Sequence, residues 1–178
     1  MNVEIAPNGH LQIDDARITF RNFAGAEKEF NREGDRNFSW VIDDQDLANR
    51  LIEDGWNVRI RPPRDEGGEP FIHLPVKVQF GTPFPLTIKL VRPGMKPLEL
   101  DEDSVKCLDH MDIERIDMDI RPHDWVINEG KPSEKRGRSA KLQTMYVTQS
   151  VNRFAERYEF PVDEEPPFDM DEMAYNRR

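Results

Sequence analysis

Alternation of apolar and charged residues with a period of two constrains this chain more than any other feature. In WNVRIR, Trp56, Val58 and Ile60 alternate with Asn57, Arg59 and Arg61. VKVQF sets Val76, Val78 and Phe80 against Lys77 and Gln79, and IDMDI sets Ile116, Met118 and Ile120 against Asp117 and Asp119. Successive side chains of a strand point to opposite faces, so these segments read as strands with one face in a core and one in water. Further strands are predicted at Ala16–Phe20, Asn37–Ile42, Pro85–Val91 and Ala140–Thr148.

Helical signals are fewer. DDQDLANRLIEDG has Asp43 or Asp44 as N-cap, apolar Leu47, Leu51 and Ile52 at helical spacing, and Gly55 just past the end. DEDSVKCLDHM, Asp101 to Met111, is a shorter acid-led candidate with Val105 and Leu108 on one side. Proline- and glycine-rich breaks (RPPRDEGGEP, FGTPFP, RPGMKP) separate the elements. Many short strands, one or two short helices and long loops predict a mainly β fold, with an OB-like β-barrel as the expected architecture. An immunoglobulin-like sandwich calls for more even strand spacing. Trp40, Trp56, Trp125 and the lone cysteine, Cys107, are expected in the core.

The chain has 178 residues, 37% hydrophobic and 34% charged, enough apolar material for one modest core. No stretch approaches the ~20 apolar residues of a membrane span, and a signal-peptide pattern is lacking, so the expected home is the reducing cytoplasm. The net charge of −10 is unevenly distributed. From Glu159 onward there are seven acids against two arginines, a net of −5, which leaves −5 for the far longer remainder. Two regions follow: a folded domain over 1–158 and an acidic tail over 159–178, expected to be disordered because it has too little apolar surface to offset its ordering entropy.

A groove for single-stranded nucleic acid needs cations that track phosphates and aromatic faces on which bases stack. Candidate cations are Arg17 and Arg21 beside the first predicted strand, Arg32, Arg36 and Arg64 in loops, and Arg59, Arg61, Lys77 and Lys89 on later strands. Candidate stacking faces are Phe23, Phe30, Phe71 and Phe84. EGKPSEKRGRSAK, Glu129 to Lys141, reads as a mobile basic loop carrying Lys131, Lys135, Arg136, Arg138 and Lys141. Catalytic signals are weak. Cys107 with His110 lacks a second ligand pair at zinc-site spacing. Asp117 and Asp119 share a strand face, as a metal nuclease pair would, but outward solvation explains them equally well. Phosphate-loop, nucleophile-elbow and zinc-protease motifs are absent from the sequence. No catalytic residue, metal or cofactor is expected.

RITFRNFAGAEKEFNREGDRNFSWVID, DGWNVRIRPPRDEGGEPFIHLPVKVQFG and the closing KLQTMYV strand together resemble a family of tailed-phage single-stranded DNA-binding proteins with an OB-like fold. The resemblance covers about Asp14 to Tyr158 and implies ssDNA binding through the barrel during phage DNA replication or recombination, in the bacterial host cell. DEEPPF, Asp163 to Phe168, is similar to the acidic tip of bacterial single-stranded DNA-binding proteins, which docks on replication and repair enzymes. Here ten residues follow Phe168. Asp163, Glu164, Glu165, Phe168, Asp169, Asp171 and Tyr175 are the expected partner-binding residues of the tail, which also competes with DNA for the groove. The rival reading is an acidic DNA mimic, with the eight acids of Asp101–Asp119 imitating phosphates.

Overall fold

The computed structural model describes residues 1–151; the tail residues Asp163, Glu164, Glu165, Phe168, Asp169, Asp171 and Tyr175, and the boundary at 158, lie outside the described residues. The elements in chain order are β1 (Asn2–Ile5), β2 (Leu11–Asp14), β3 (Ile18–Asn22), β4 (Arg36–Val41), α1 (Gln45–Glu53), β5 (Arg59–Arg61), β6 (Phe71–Val78), β7 (Thr87–Val91), β8 (Leu98–Glu99), a 3-10 turn at Val105–Asp109, β9 (Ile113–Ile127) and β10 (Lys135–Gln149).

The architecture is mainly β and OB-like, as expected. One sheet runs β1-β2-β9-β10-β6-β4-β3, with β5 beside β6 and β7 linking β10 to β8. Its ladder is not closed, since β1 and β3 stand at its ends. The residues between β2 and β3 span the gap: Ala16 N–H donates to Ile116 O at 2.8 Å, and Val41 N–H donates to Arg17 O at 2.9 Å. Inward residues of β2, β4, β6, β7, β9 and β10 meet α1 in a single core built around Trp40, Leu51, Leu74, Ile88, Ile120 and Met145.

Helix α1 obeys its local signals. Asp44 caps it by accepting from Asp46 N–H and Leu47 N–H. At the other end Gly55 adopts φ +92°, donating to Ile52 O, while Trp56 N–H returns to Leu51 O. This left-handed exit is cheap only for glycine, and it drops Trp56 onto the core beside Leu51. Ile52, by contrast, is exposed.

Several expectations change. WNVRIR is a strand only over Arg59–Arg61, and Ile60 is 47% exposed because β5 is too short to be covered. The second helix is a 3-10 turn that buries Val105 and Leu108 but leaves Cys107 exposed. The basic loop is half strand: Lys135, Arg136, Arg138 and Lys141 belong to β10, which pairs with β9 from Lys135–Ile127 down to Gln149–Ile113. The outer part of this hairpin forms an arm, on which Trp125 is half-buried rather than in the core. A register shift between Leu142 and Thr144 changes the inward parity of β10 from Ala140 and Leu142 to Met145 and Val147. Plain alternation therefore underestimates this strand.

Candidate nucleic-acid interface

The outer face of β6 carries Phe71, Pro75 and Lys77, with His73 buried between Phe20 and Phe71, opposite the core residues Ile72, Leu74, Val76 and Val78. Around its first half the fold assembles an aromatic focus. Strand β3 pairs Thr19 with Ser39 and Asn22 with Asn37, so Phe20 and Arg21 together face Phe38 alone. This bulge holds Phe20 at φ +51°, a left-handed conformation that aims its ring outward. Phe20 meets Phe71 edge-on at 6.0 Å and His73 at 5.8 Å, while Phe71 stacks on His73 at 5.1 Å.

Strand β5 adds charge to the focus. Arg59 lies opposite His73 and Arg61 opposite Phe71, and the Arg61 guanidinium stands 5.6 Å from the Phe20 ring centre. His73 Nδ1 lies 2.9 Å from Ser39 Oγ, and its Nε2 is buried without a partner among the described residues. Burial first, then Arg61 and Arg59, holds the His73 imidazole below its ordinary pKa. Phe30, 94% exposed, projects from the Lys28–Asn31 turn beside this focus. It lines both a groove of about 450 Å³, shared with Phe20, Arg59, Arg61 and His73, and one of about 510 Å³, shared with Arg36, Lys77 and Phe80.

A cation row crosses the same face farther along β6. Lys141 on β10 pairs with Lys77 on β6 and, on its other side, with Arg121 on β9. Like charges directly opposite each other are destabilising. Burial, Arg121 and then Lys77 lower the Lys141 pKa; burial, Lys141, Arg121 and Lys77 lower that of His123. Among the described residues, Arg59, Arg61, Lys77, Arg121 and Lys141 form no ion pair. Arg121 also stacks over Phe84, which is half exposed, at 3.8 Å. An unneutralised row of this kind is suited to a polyanion.

The other candidates from the sequence divide. Phe23 is fully buried and stacked on Phe38 at 5.3 Å, so it belongs to the core and has no free face for a base. Arg21 donates to the carbonyls of Leu108 and Met111 at 2.8 and 2.7 Å, pinning the 3-10 turn. Arg138 is held by Asp124 at 2.7 Å and Asp54 at 3.0 Å. Arg17 pairs with Asp43, Arg36 with Glu102 and Arg136 with Glu134. Lys89 lies on β7 between Tyr146 and Glu99, away from the row. Arg32, Arg64 and Lys135 are exposed outside both foci.

Sequence reasoning missed Phe20, His73, Arg121, His123 and Trp125. The outward parity of IDMDI, carried on from Asp119, reaches Arg121, His123 and Trp125, so that signal was present. Phe20 is invisible to alternation because the bulge breaks it. Asp117 accepts from Arg115 and from Asp15 N–H, and Asp119 from His10 and Gln12. The acidic pair thus serves its neighbours, and no group of three or more potential metal ligands occurs among the described residues.

A family model described as "Putative phage ssDNA-binding domain" matches residues 2–174. Among solved structures, the chain is similar to the single-stranded DNA-binding protein from bacteriophage Enc34, with 10% identity, TM-score 0.52, and coverage of 97% of this chain and 94% of that one. A C-terminal truncation of the same phage protein matches with 11% identity, TM-score 0.48, and coverage of 85% and 92%. Comparison with curated proteins gives no match. With an OB-like fold and a family match over nearly its whole length, the chain belongs to the phage ssDNA-binding domain family.

Proposed function

We propose that this protein binds single-stranded DNA through the outer face of β3, β5, β6, β10 and β9, with little base preference. The carrying observation is the union on one face of two groups. One is the rings of Phe20 and Phe71, seated on the buried His73 with Phe30 beside them. The other is Arg59, Arg61, Lys77, Lys141 and Arg121, which have no ion-pair partner among the described residues. Rings accept the face of any base, and cations bind phosphates by releasing counterions, so the expected binding is sequence-tolerant and salt-sensitive. Base recruitment of this kind needs no catalytic group, and the protein acts as a non-enzymatic coat on strands exposed during phage DNA replication or recombination in the host cell.

The tail over 159–178 is assigned a second role from its sequence. Its net charge of −5 suits it to occupy the cation row when DNA is absent, and Phe168 or Tyr175 to anchor replication or recombination proteins once DNA displaces it. The acidic-mimic reading is disfavoured because Asp101, Asp109, Asp117 and Asp119 are engaged by backbone or side-chain donors of their own chain.

The test is fluorescence anisotropy of labelled oligo-dT and a matching duplex, at low and high salt, with full-length protein and a form ending at Tyr158. Salt-sensitive oligo-dT binding that tightens when the tail is removed supports both roles. Oligo-dT binding unchanged by the truncation removes the tail's competition, and no oligo-dT binding by either form overturns the whole reading.

A further inference from the structure

We propose that Trp125, seated against Gly137 on the β9–β10 arm, is a second base-stacking platform for single-stranded nucleic acid. The inference rests on the ssDNA-binding reading of this face and extends it to a part of the fold that carries neither the aromatic focus nor the cation row.

Trp125 and Gly137 are direct partners across the arm. A Cβ at position 137 would fall 2.3 Å from Cζ2 and 2.7 Å from Cε2 of the indole, so the ring fills the space that any other residue's side chain would take. Glycine in a strand interior costs stability, and close approach of another group is what commonly accounts for it. The pairing runs without a register shift from Lys135–Ile127 to Leu142–Ile120. Trp125 therefore shares its face with His123 and Arg121 on β9, and with Ser139 and Lys141 on β10. Four residues along a strand place it about 13 Å from Arg121.

The indole differs from the other two in ways that suit a ligand. Trp40 and Trp56 are 0% and 3% exposed, and their Nε1–H groups contact Met1 Sδ and Asp54 Oδ2. Trp125 is half-buried, and its Nε1–H has no such partner among the described residues. It also lines a groove of about 310 Å³ with Gly55, Val126 and Gly137. A bracing role for the arm explains the contact with Gly137, but not a half-buried indole continuing a row of cations that have no ion-pair partner among the described residues. A strand whose phosphates lie on Lys77, Lys141 and Arg121 would carry its next bases toward this ring.

The test uses full-length protein titrated with oligo-dT while tryptophan emission is recorded, since the buried Trp40 and Trp56 leave Trp125 as the described indole a base can reach. Quenching is expected in the wild type and is lost in Trp125→Phe. In Trp125→Ala, anisotropy is expected to give about 5- to 150-fold weaker binding, with the slope of affinity against salt unchanged because every phosphate-binding cation is still in place. Binding without quenching, or wild-type affinity in a Trp125→Ala variant with an unaltered melting curve, overturns the platform. A wild type that binds no oligo-dT at all is a different result, because the parent reading fails with it.

Discussion

The Arg121 guanidinium stands 3.8 Å from the centre of the Phe84 ring, which ties the loop before β7 to β9 at the end of the cation row. A cation–π pair at an exposed site contributes about 0.5–1 kcal/mol, enough to hold a loop in place but not to fold it. The same side chain faces Lys141 across the sheet. Arg121 thus has one face on an aromatic ring and no ion-pair partner among the described residues.

Replacing Arg121 with alanine should therefore act on DNA more than on stability. For single strands the salt slope changes by about 0.7 for each phosphate that is no longer neutralised. Oligo-dT titrations from low to high salt are expected to give a slope shallower by about that amount, with the same decrement for Lys77→Ala and for Lys141→Ala. Unchanged slopes in all three would remove the row from the interface.

Arg59 and Arg61 provide a contrast with Arg138. The pair flanks His73 and Phe71 without ion-pair partners among the described residues, whereas Arg138 joins Asp54 to Asp124. Arg59→Ala with Arg61→Ala is expected to weaken oligo-dT binding and flatten its salt slope by about 1.4 while urea denaturation stays the same. Arg138→Ala should do the reverse, costing about 1–2 kcal/mol of stability with a smaller effect on binding.

Two phenylalanines from the same stretch of sequence should separate in the same manner. Phe23 is fully buried against Phe38, so Phe23→Ala is expected to cost about 3–5 kcal/mol in urea denaturation. Phe30 is 94% exposed, so Phe30→Ala should leave the denaturation midpoint in place. If Phe30 stacks on a base, the variant binds oligo-dT about 5- to 150-fold more weakly.

His73 sets a pH dependence whose sign follows from its environment. Burial, Arg61 and Arg59 all disfavour its charged form, so its folded pKa lies below the unfolded value of about 6.5. The unfolded chain then binds more protons in this window, and its stability contribution, full above that value, is lost as pH falls through the folded pKa. Melting temperature should decline as pH falls below about 6.5, and decline less in His73→Gln, whose neutral side chain has nothing to protonate. The carboxylates with lowered pKa, Asp101, Asp117 and Asp124, act at still lower pH. His123, whose pKa is also lowered, contributes equally to both proteins, so that the difference between them reports His73. An equal decline in both proteins would show that His73 is not the group responsible.

The parts of the fold legible in the sequence are those governed by local rules. Asp44 and Gly55 delimit α1 through capping and left-handed geometry, and β4 and β7 appear close to where alternation puts them. The long β9–β10 arm reads in the sequence as a shorter strand and a loop, because only the pairing of the two strands keeps Lys135–Lys141 extended. Strands β1 and β2 escape detection by pattern, since four-residue segments carry too little alternation to stand apart from a loop.

By itself the sequence determined that strands would dominate, that they would be two-sided, and that cations would recur on their outer faces. Side-chain parity and the scarcity of helical runs are properties of the chain, and they need no partner strand to be read. Tertiary structure alone decided which cations have no ion-pair partner among the described residues. Asp54 and Asp124 reach Arg138 from other elements and neutralise it, while register brings Lys77, Lys141 and Arg121 together with no acid between them. It also decided which rings remain open, turning Phe20 outward through a bulge and Phe23 inward onto Phe38. Charge compensation and burial both depend on neighbours distant in the chain, and those neighbours exist only once the sheet has folded around its core.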